Sequence, residues 1–349
     1  MDIEKLISQY DKSGYLNFLL NFSEQLKDAL SLEFPALPDD MRTLRHVVVT
    51  GMGGSAIGGT LVKSLYSDEI PVPVSVVRNY RLPASVNNDS LVIASSYSGN
   101  TEETLSAYAA ARERGSTIVC LTSDGTLSEK ARNDGFPVIS LPSGYQPRAA
   151  VGFSLIPLIR LLAHFRLLPD KTDEILETIT LIETLNKDYQ PAHSKNSGPF
   201  QLAQKILGKL PVIYSGPAPI DALGERFRGQ LAENAKVLSH SNILPEMNHN
   251  EIMGWDKDFT LTKNAFVVFL RDTHEHERID RRIRITQEVI ERHAAGYDEI
   301  WSNGTSALAR MMSLLYFCDY ASFYLALLNK KDPTVIENIN FLKENLEKM

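Results

Sequence analysis

The apolar run His46-Val47-Val48-Val49-Thr50 stops at Gly51-Met52-Gly53-Gly54-Ser55, and further along Leu91-Val92-Ile93-Ala94 stops in the same way at Ser95-Ser96-Tyr97-Ser98-Gly99-Asn100-Thr101. Short β-branched runs that alternate with helical segments pair as parallel strands, because each return to the sheet is made through a helical crossover. Runs at 46–50, 72–77, 91–95, 117–121 and 137–141 follow this pattern and predict a doubly wound parallel sheet. The two turns carry chemistry as well as topology. A helix start leaves up to four backbone N–H groups unpaired and bears the positive end of the helix dipole, so an anion fits there. Glycine lets the backbone approach a ligand, while Ser and Thr hydroxyls add directional donors without adding charge. The segment Ser98 to Thr104 also reads as a turn followed by a capped first helical turn with early acids. Either turn alone is as readily an ordinary α/β connection as a ligand site. The pair points to one phosphate.

With 349 residues the chain is long enough for two α/β domains, each with its own core. Its 43% hydrophobic and 23% charged residues are those of a globular protein, and a formal net charge of -7 offers no global attraction for nucleic acid or an anionic membrane. Any phosphate is therefore attracted locally. Cys120 and Cys318 stand far apart inside apolar segments, which suits a reduced, cytoplasmic setting better than a disulfide framework or a metal site. The start Met1-Asp2-Ile3-Glu4-Lys5 lacks the basic residues and apolar run of a secretory signal. The most hydrophobic stretch, Met311 to Leu328, contains Ser313, Asp319 and Ser322, and reads as a buried core helix instead of a membrane span.

Residues 3–32 have helical spacing, with Leu16, Leu19, Leu20, Phe22 and Leu26 before the break at Pro35 and Pro38, and are expected to pack on the first sheet. Arg148 to His164 reads as a long apolar helix, and Thr172 to Asn186 as another, with Ile175, Ile179, Ile182 and Leu185 on one face. Pro191, Ser194, Ser197, Gly198 and Pro199 give residues 190–200 the composition of a linker. A second α/β set follows: the strand Leu210 to Gly216, a helix from Ala218 to Ala235, strands at 265–270 and 298–301, and helices at 305–328 and 335–347. The order of elements echoes the first half. The expected domains are 1–165, a helical bridge and linker over 166–199, and 200–349.

Strand, Gly51-x-Gly53-x-x-Ala56 and helix also match the dinucleotide fingerprint. That reading calls for an acid at the end of the second strand, where Arg78 stands instead, a residue that would suit the 2′-phosphate of NADP. It leaves the turn at 95–101 unexplained, because a dinucleotide fold takes its pyrophosphate site from the first turn alone. The second half adds Arg226 to Lys236 and Pro245-Glu246-Met247-Asn248-His249-Asn250-Glu251. Glu233 by itself reads as a solvated helix charge, but Leu231, Ala232 and Ala235 beside it place the carboxylate near a largely buried helix end. His249 by itself reads as a surface histidine, but two flanking asparagines could fix its tautomer in a dense polar loop.

Taken together, Gly51 to Ser55, Ser96 to Thr104, Pro147-Arg148, Glu233-Asn234-Ala235-Lys236 and Pro245 to Glu251 resemble the bifunctional phosphoglucose/phosphomannose isomerases, over nearly the whole chain. The resemblance implies two sugar isomerase (SIS) domains, each a flavodoxin-like doubly wound parallel sheet, in a homodimer that takes a hexose 6-phosphate between the domains, with no metal and no cofactor. It implies that Gly54, Ser55, Ser96, Ser98 and Thr101 bind the phosphate, and that Glu233 is the base. His249, supplied by the neighbouring subunit, and Lys343 would open the ring, and Arg148 would steady the intermediate.

The chemistry makes independent sense of these residue types. Ring opening needs one proton taken from the anomeric hydroxyl and one given to the ring oxygen, and aldose–ketose isomerisation then moves a proton between C2 and C1. The enediolate formed on the way needs a permanent cation, and guanidinium does not deprotonate. Arg148 otherwise reads as a helix-start arginine in a surface ion pair. Glucose and mannose 6-phosphates differ only at C2 and collapse to one enediol, so one base serves both. Thr334 is a candidate specificity residue near C2, and reads equally as the cap of the last helix; the family's usual proline after it is Val335 here. Two other readings stay open: a SIS-domain sensor that binds a sugar phosphate without turnover, and an NADP-binding enzyme.

Overall fold

The computed structural model describes residues 2–38, 44–256, 260–346 and 348. Two short helices, α1 (Ile3–Tyr10) and α2 (Tyr15–Leu20), are separated by Gly14 at φ 70°, and the Asp11 carboxylate caps α2 by accepting the N–H groups of Tyr15 (2.6 Å) and Leu16 (2.9 Å). The predicted helix over 3–32 is therefore three helices, the third being α3 (Phe22–Ser31).

From there strands and helices alternate as β1 (His46–Thr50), α4 (Gly53–Leu65), β2 (Val74–Val77), β3 (Ser90–Ser95), α5 (Glu102–Glu113), β4 (Thr117–Thr122), α6 (Gly125–Asn133) and β5 (Val138–Ser140), followed by α7 (Val151–His164) and α8 (Thr172–Tyr189). All strand pairings are parallel and the order is β2-β1-β3-β4-β5, the flavodoxin-like arrangement expected from the sequence. Strands β3 and β4 are buried along their whole length, as the centre of a sheet covered on both faces must be. Val48, Val92, Ile118 and Cys120 meet Ala107, Tyr108 and Leu127 of the covering helices in one core.

The second half runs through α9 (Gly198–Ile206), β6 (Leu210–Ser215), α10 (Asp221–Gln230), β7 (His240–Ile243), α11 (Thr260–Lys263), β8 (Ala265–Arg271), α12 (Glu277–Ile290), β9 (Gly296–Trp301), α13 (Ala307–Leu328) and α14 (Glu337–Leu346). Its sheet is parallel in the order β7-β6-β8-β9, so the topology of the first sheet recurs with one strand fewer. Residue 347, the last of the predicted C-terminal helix, lies outside the described residues.

Helix α13 is long and apolar enough to cross a membrane by length and composition, but Leu308 to Leu327 are all buried inside the chain. Tyr316, Tyr320 and Tyr324 line one side of it at helical spacing, with ring centroids 5.1 Å and 5.9 Å apart.

Two compact units result, residues 21–180 and residues 1–20 with 181–349. The sequence-based division at 165 and 199 differs in two respects. The first twenty residues belong with the second sheet: Tyr15 is buried and stacked on Phe323 of α13, and the Tyr316 hydroxyl donates to Leu19 O (2.8 Å). The N-terminal helices are expected from the sequence to pack on the first sheet; α3 joins the unit of that sheet but packs on its helix α7, and α1 and α2 pack on α13. Residues 190–200 are likewise no linker: Pro191–Asn196 form a 3-10 turn, and α9 opens directly behind Ser197 and packs on α13.

Candidate active site

Both predicted turns lie at the carboxyl end of the first sheet, where open parallel sheets take ligands. The N-cap residue of α4, Met52, makes no side-chain cap bond. A capped helix start is expected within Ser98 to Thr104; Thr101 stands at the N-cap of α5, but its hydroxyl accepts from Ser96 Oγ (2.9 Å) and makes no cap bond to its own helix. Two helix starts therefore keep N–H groups without a side-chain cap, the condition for holding an anion.

The turns are tied to each other. Ser55 Oγ, buried, accepts the Tyr97 N–H (2.9 Å), and the Tyr97 hydroxyl donates to Pro142 O (2.6 Å) and accepts the Tyr145 N–H (3.0 Å). Gly99, at φ 71°, has backbone that only glycine adopts readily, and a β-carbon there would overlap Asp124 O. Next to it Asn100 Oδ1 accepts both the N–H and the hydroxyl of Thr126, each at 3.0 Å, which fastens the second turn to α6. Ser98 stands exposed at the tip, its Oγ accepting the Asn100 N–H at 3.4 Å.

Arg148 belongs to the same region. It sits in a single 3-10 turn, Pro147–Ala149, and Gly54 is pressed against that turn: a β-carbon at Gly54 would overlap Pro147 O and lie 3.1 Å from Arg148 N. Arg148 is buried, which removes the surface ion-pair reading. Gln25 of α3, fully buried, clamps the turn from behind, with Nε2 donating to Ala149 O and Oε1 accepting the Gly152 N–H, both at 2.8 Å. The structure thus gathers Gly54, Ser55, Ser96, Thr101 and Arg148 through direct contacts. Gly54→Ala is expected to cost about 1–3 kcal/mol of stability by overpacking two backbones, measured by urea unfolding. A change under about 0.5 kcal/mol would mean that the two turns do not meet.

The second unit carries the other candidates. Helix α10 does not run on to Ala235 as predicted, because Leu231–Ala235 form a π-helical turn, a local widening that recurs at functional sites. Leu231, Asn234 and Ala235 of this turn are buried, and Glu233 is half-buried. Lys236 ends it in the left-handed region at φ 60°, its Nζ donating to Glu233 O (2.5 Å). Glu233, Lys236, Val237 and Leu238 line an open groove of about 470 Å³ with Val335 and Ile336.

Beneath the turn runs a buried polar network. Arg226 Nη2 pairs with Asp319 Oδ2 at 2.6 Å, and Gln230 Nε2 donates to Asp319 Oδ1 at 2.9 Å. Burial pushes the Asp319 carboxyl above its ordinary value, while Arg226 and Gln230 pull it back. Asn234 Nδ2 donates to Ser322 Oγ (3.0 Å) and to Tyr15 Oη (3.2 Å).

His249 is exposed at the end of the 3-10 turn Glu246–His249, and its asparagine neighbours do not orient it as expected. Asn248 Nδ2 donates to Thr286 Oγ1 (2.9 Å), and Asn250 bonds Glu246 (2.8 Å) and the Glu251 N–H (2.6 Å). Asn248 thus ties the loop to α12 and Asn250 braces the loop internally, so both hold its shape. Glu251 anchors that loop to the sheet, accepting from Tyr214 Oη (2.6 Å), from His240 Nε2 (2.9 Å) and from Asn242. Burial by itself would raise the Glu251 carboxyl, but these three hydrogen bonds outweigh it and hold the group below its ordinary value.

Thr334 donates its N–H to Asp332 Oδ1 (2.8 Å), and since α14 begins at Glu337 the cap position is Ile336, not Thr334. Lys343 is exposed on α14. Within this unit the structure brings the segment after Thr334 to Glu233, and brings neither His249 nor Lys343 to the lining of that groove. Sequence reasoning passes over Tyr97, Gln25, Asn234 and Glu251 as individual contributors. Gln25, a polar residue between Phe22, Leu26 and Ala29 on an apolar helix face, is the one with a readable signal.

The chain is similar to known proteins along most of its length. The family model of the bacterial phospho-glucose isomerase C-terminal SIS domain matches residues 196–346. A bifunctional phosphoglucose/phosphomannose isomerase from Caldicellulosiruptor bescii is 45% identical over 302 residues, 86% of this chain and 89% of that protein. One from Aquifex aeolicus is 36% identical over 318 residues, 90% of this chain and 95% of that protein. Among solved structures, a hypothetical protein from Thermus thermophilus shares the fold with a TM-score of 0.76 at 15% identity, covering 99% of this chain and 92% of that one.

Proposed function

The chain belongs to the bifunctional phosphoglucose/phosphomannose isomerase family, and from that membership we propose that it interconverts glucose 6-phosphate and mannose 6-phosphate with fructose 6-phosphate. The observation that carries the reading is Glu233 on a braced π-turn at an open groove, because a module that only binds a sugar phosphate has no use for a held, half-exposed carboxylate.

The phosphate group lies at the starts of α4 and α5, taking backbone N–H groups and the hydroxyls of Ser55, Ser96, Ser98 and Thr101, with Gly54 allowing close approach. His249 and Lys343 exchange protons with the anomeric hydroxyl and the ring oxygen to open the sugar. Glu233 then removes the proton from C2 and returns it to C1. The intermediate carries negative charge beside a carboxylate, and the fixed guanidinium of Arg148 offsets it. Both aldoses lose their only difference when C2 becomes planar, so rotation about C2–C3 is all that dual specificity requires. Thr334 is the residue assigned to that neighbourhood.

The working unit is a homodimer in which His249 serves the neighbouring site. The exposed position of His249 supports this, as do Phe341 and Leu342, 69% and 59% exposed on α14.

Purified chain in EDTA should convert both aldose phosphates and, in deuterated water, label their C2 position. Hexose phosphate binding without C2 exchange would establish a sensor instead, and NADPH binding that hexose phosphates do not compete with would establish a cofactor enzyme. Glu233→Gln and His249→Asn proteins, each inactive alone, should recover about a quarter of wild-type activity when mixed and reassembled, the statistical yield for sites shared across a two-fold axis. No recovery would place both residues in one subunit's site.

A further inference from the structure

We propose that the buried cluster of Arg226, Asp319 and Gln230, with the Asn234–Ser322 pair, aims the Glu233 carboxylate by holding the π-turn open. This positioning role rests on the reading of Glu233 as the base.

The turn is pinned at three points to α13 and the residue that caps its end. Gln230, just before it, bonds Asp319 at 2.9 Å; Asn234, inside it, bonds Ser322 at 3.0 Å; and Ala235 O, at its end, accepts from Asn329 Nδ2 at 3.2 Å. Asp319 and Ser322 share one face of α13, at a spacing that helical geometry superposes, and Asn329 caps the helix on the same side. Ser322 Oγ in turn donates to Asp319 O at 2.8 Å, which joins the anchors into one unit.

A π-turn is less favourable than continued α-helix, so something must hold it. Were Leu231–Ala235 to relax to α-helical spacing, Glu233 would leave the helix in another direction. The ion pair between Arg226 of α10 and Asp319 of α13 is 5% and 7% exposed and is dispensable for stability in principle, because desolvation offsets most of its attraction. Its geometric effect is specific: Asp319 presents one oxygen to Arg226 and the other to Gln230, fixing the residue from which the wider turn departs.

Ser322→Ala, which deletes by one atom the shorter of the two hydrogen bonds that Asn234 Nδ2 donates and leaves the one to Tyr15, is expected to lower kcat by roughly 10–100-fold, the scale of a misplacement near 1 Å, with KM for fructose 6-phosphate steady. The double variant Arg226→Met/Asp319→Leu, which replaces the ion pair with apolar bulk, should lose as much or more while keeping its thermal midpoint. Arg226→Met/Asp319→Asn, which keeps an acceptor for Gln230, should recover part of that loss. Unchanged kcat in Ser322→Ala and in the folded double variant, or a loss confined to KM, overturns the proposal. Should a double variant not fold, Ser322→Ala decides alone. Glu233→Gln measured alongside separates the two layers: if it is inactive while the network variants keep full kcat, the base stands and the positioning role falls; if it is active, both fall.

Discussion

Glu233→Gln should lower kcat by roughly 10²–10⁴-fold with glucose 6-phosphate and with mannose 6-phosphate alike, the range lost when a positioned general base is removed. The amide keeps the size and hydrogen-bonding reach of the carboxylate but cannot accept a proton, so KM should hold and solvent deuterium should cease to enter C2. The side chain is half-buried at the rim of a groove and the π-turn is held mainly by its neighbours, so folding should survive. Equal loss with both aldoses is the sharper half of the test. A single base working through one enediol demands it, and a variant that lost only one aldose would require two bases.

Arg148→Met should cost roughly 10²–10³-fold in kcat, the scale of removing one preorganised group from a developing oxyanion. Methionine preserves the apolar stem in a position that is 4% exposed and removes only the charge and the donors. Arg148→Lys should recover part of the loss, since a point charge replaces a planar fork. A uniform rise in KM at constant kcat would move Arg148 from the intermediate to the phosphate. The Gln25 clamp on Ala149 O and on the Gly152 N–H keeps the backbone of the turn in place in either variant, so the comparison reports on the side chain.

Much of the first sheet is legible because parallel strands buried on both faces leave unbroken apolar runs. The pattern places His46–Thr50 to the residue, and the other four strands to within two residues at each end. The edge strand His240–Ile243 escapes it, since its residues are exposed or half-buried and only backbone pairing with β6 makes it a strand. Pro191 and Pro199 read as breakers, yet Pro199 stands in the first turn of α9, where its missing N–H costs nothing, behind Ser197 at the cap position. Asp319 is legible as the charge that argues against a membrane span in an apolar helix, and its partners come from an element far away in sequence.

The chain's own order of residues determined the two parallel sheets and the two small-residue turns that follow β1 and β3, and it carries the motifs from which Glu233, His249 and Arg148 are proposed, because each is written in contiguous residues as periodicity, turn chemistry or motif. Only the tertiary structure decided that the first twenty residues belong to the second unit, that α10 ends in a π-turn, and that Thr101 bonds Ser96 instead of capping its own helix. The first two depend on partners distant in the chain, Phe323 for Tyr15 and Ser322 for Asn234, as does the packing of Pro147 on Gly54, whereas the bond between Thr101 and Ser96 is local but has no signature in the periodicity. Periodicity reports which face of an element is apolar. It is silent about which distant side chain arrives to meet that face, and such meetings hold the π-turn that carries Glu233 and the turn that carries Arg148.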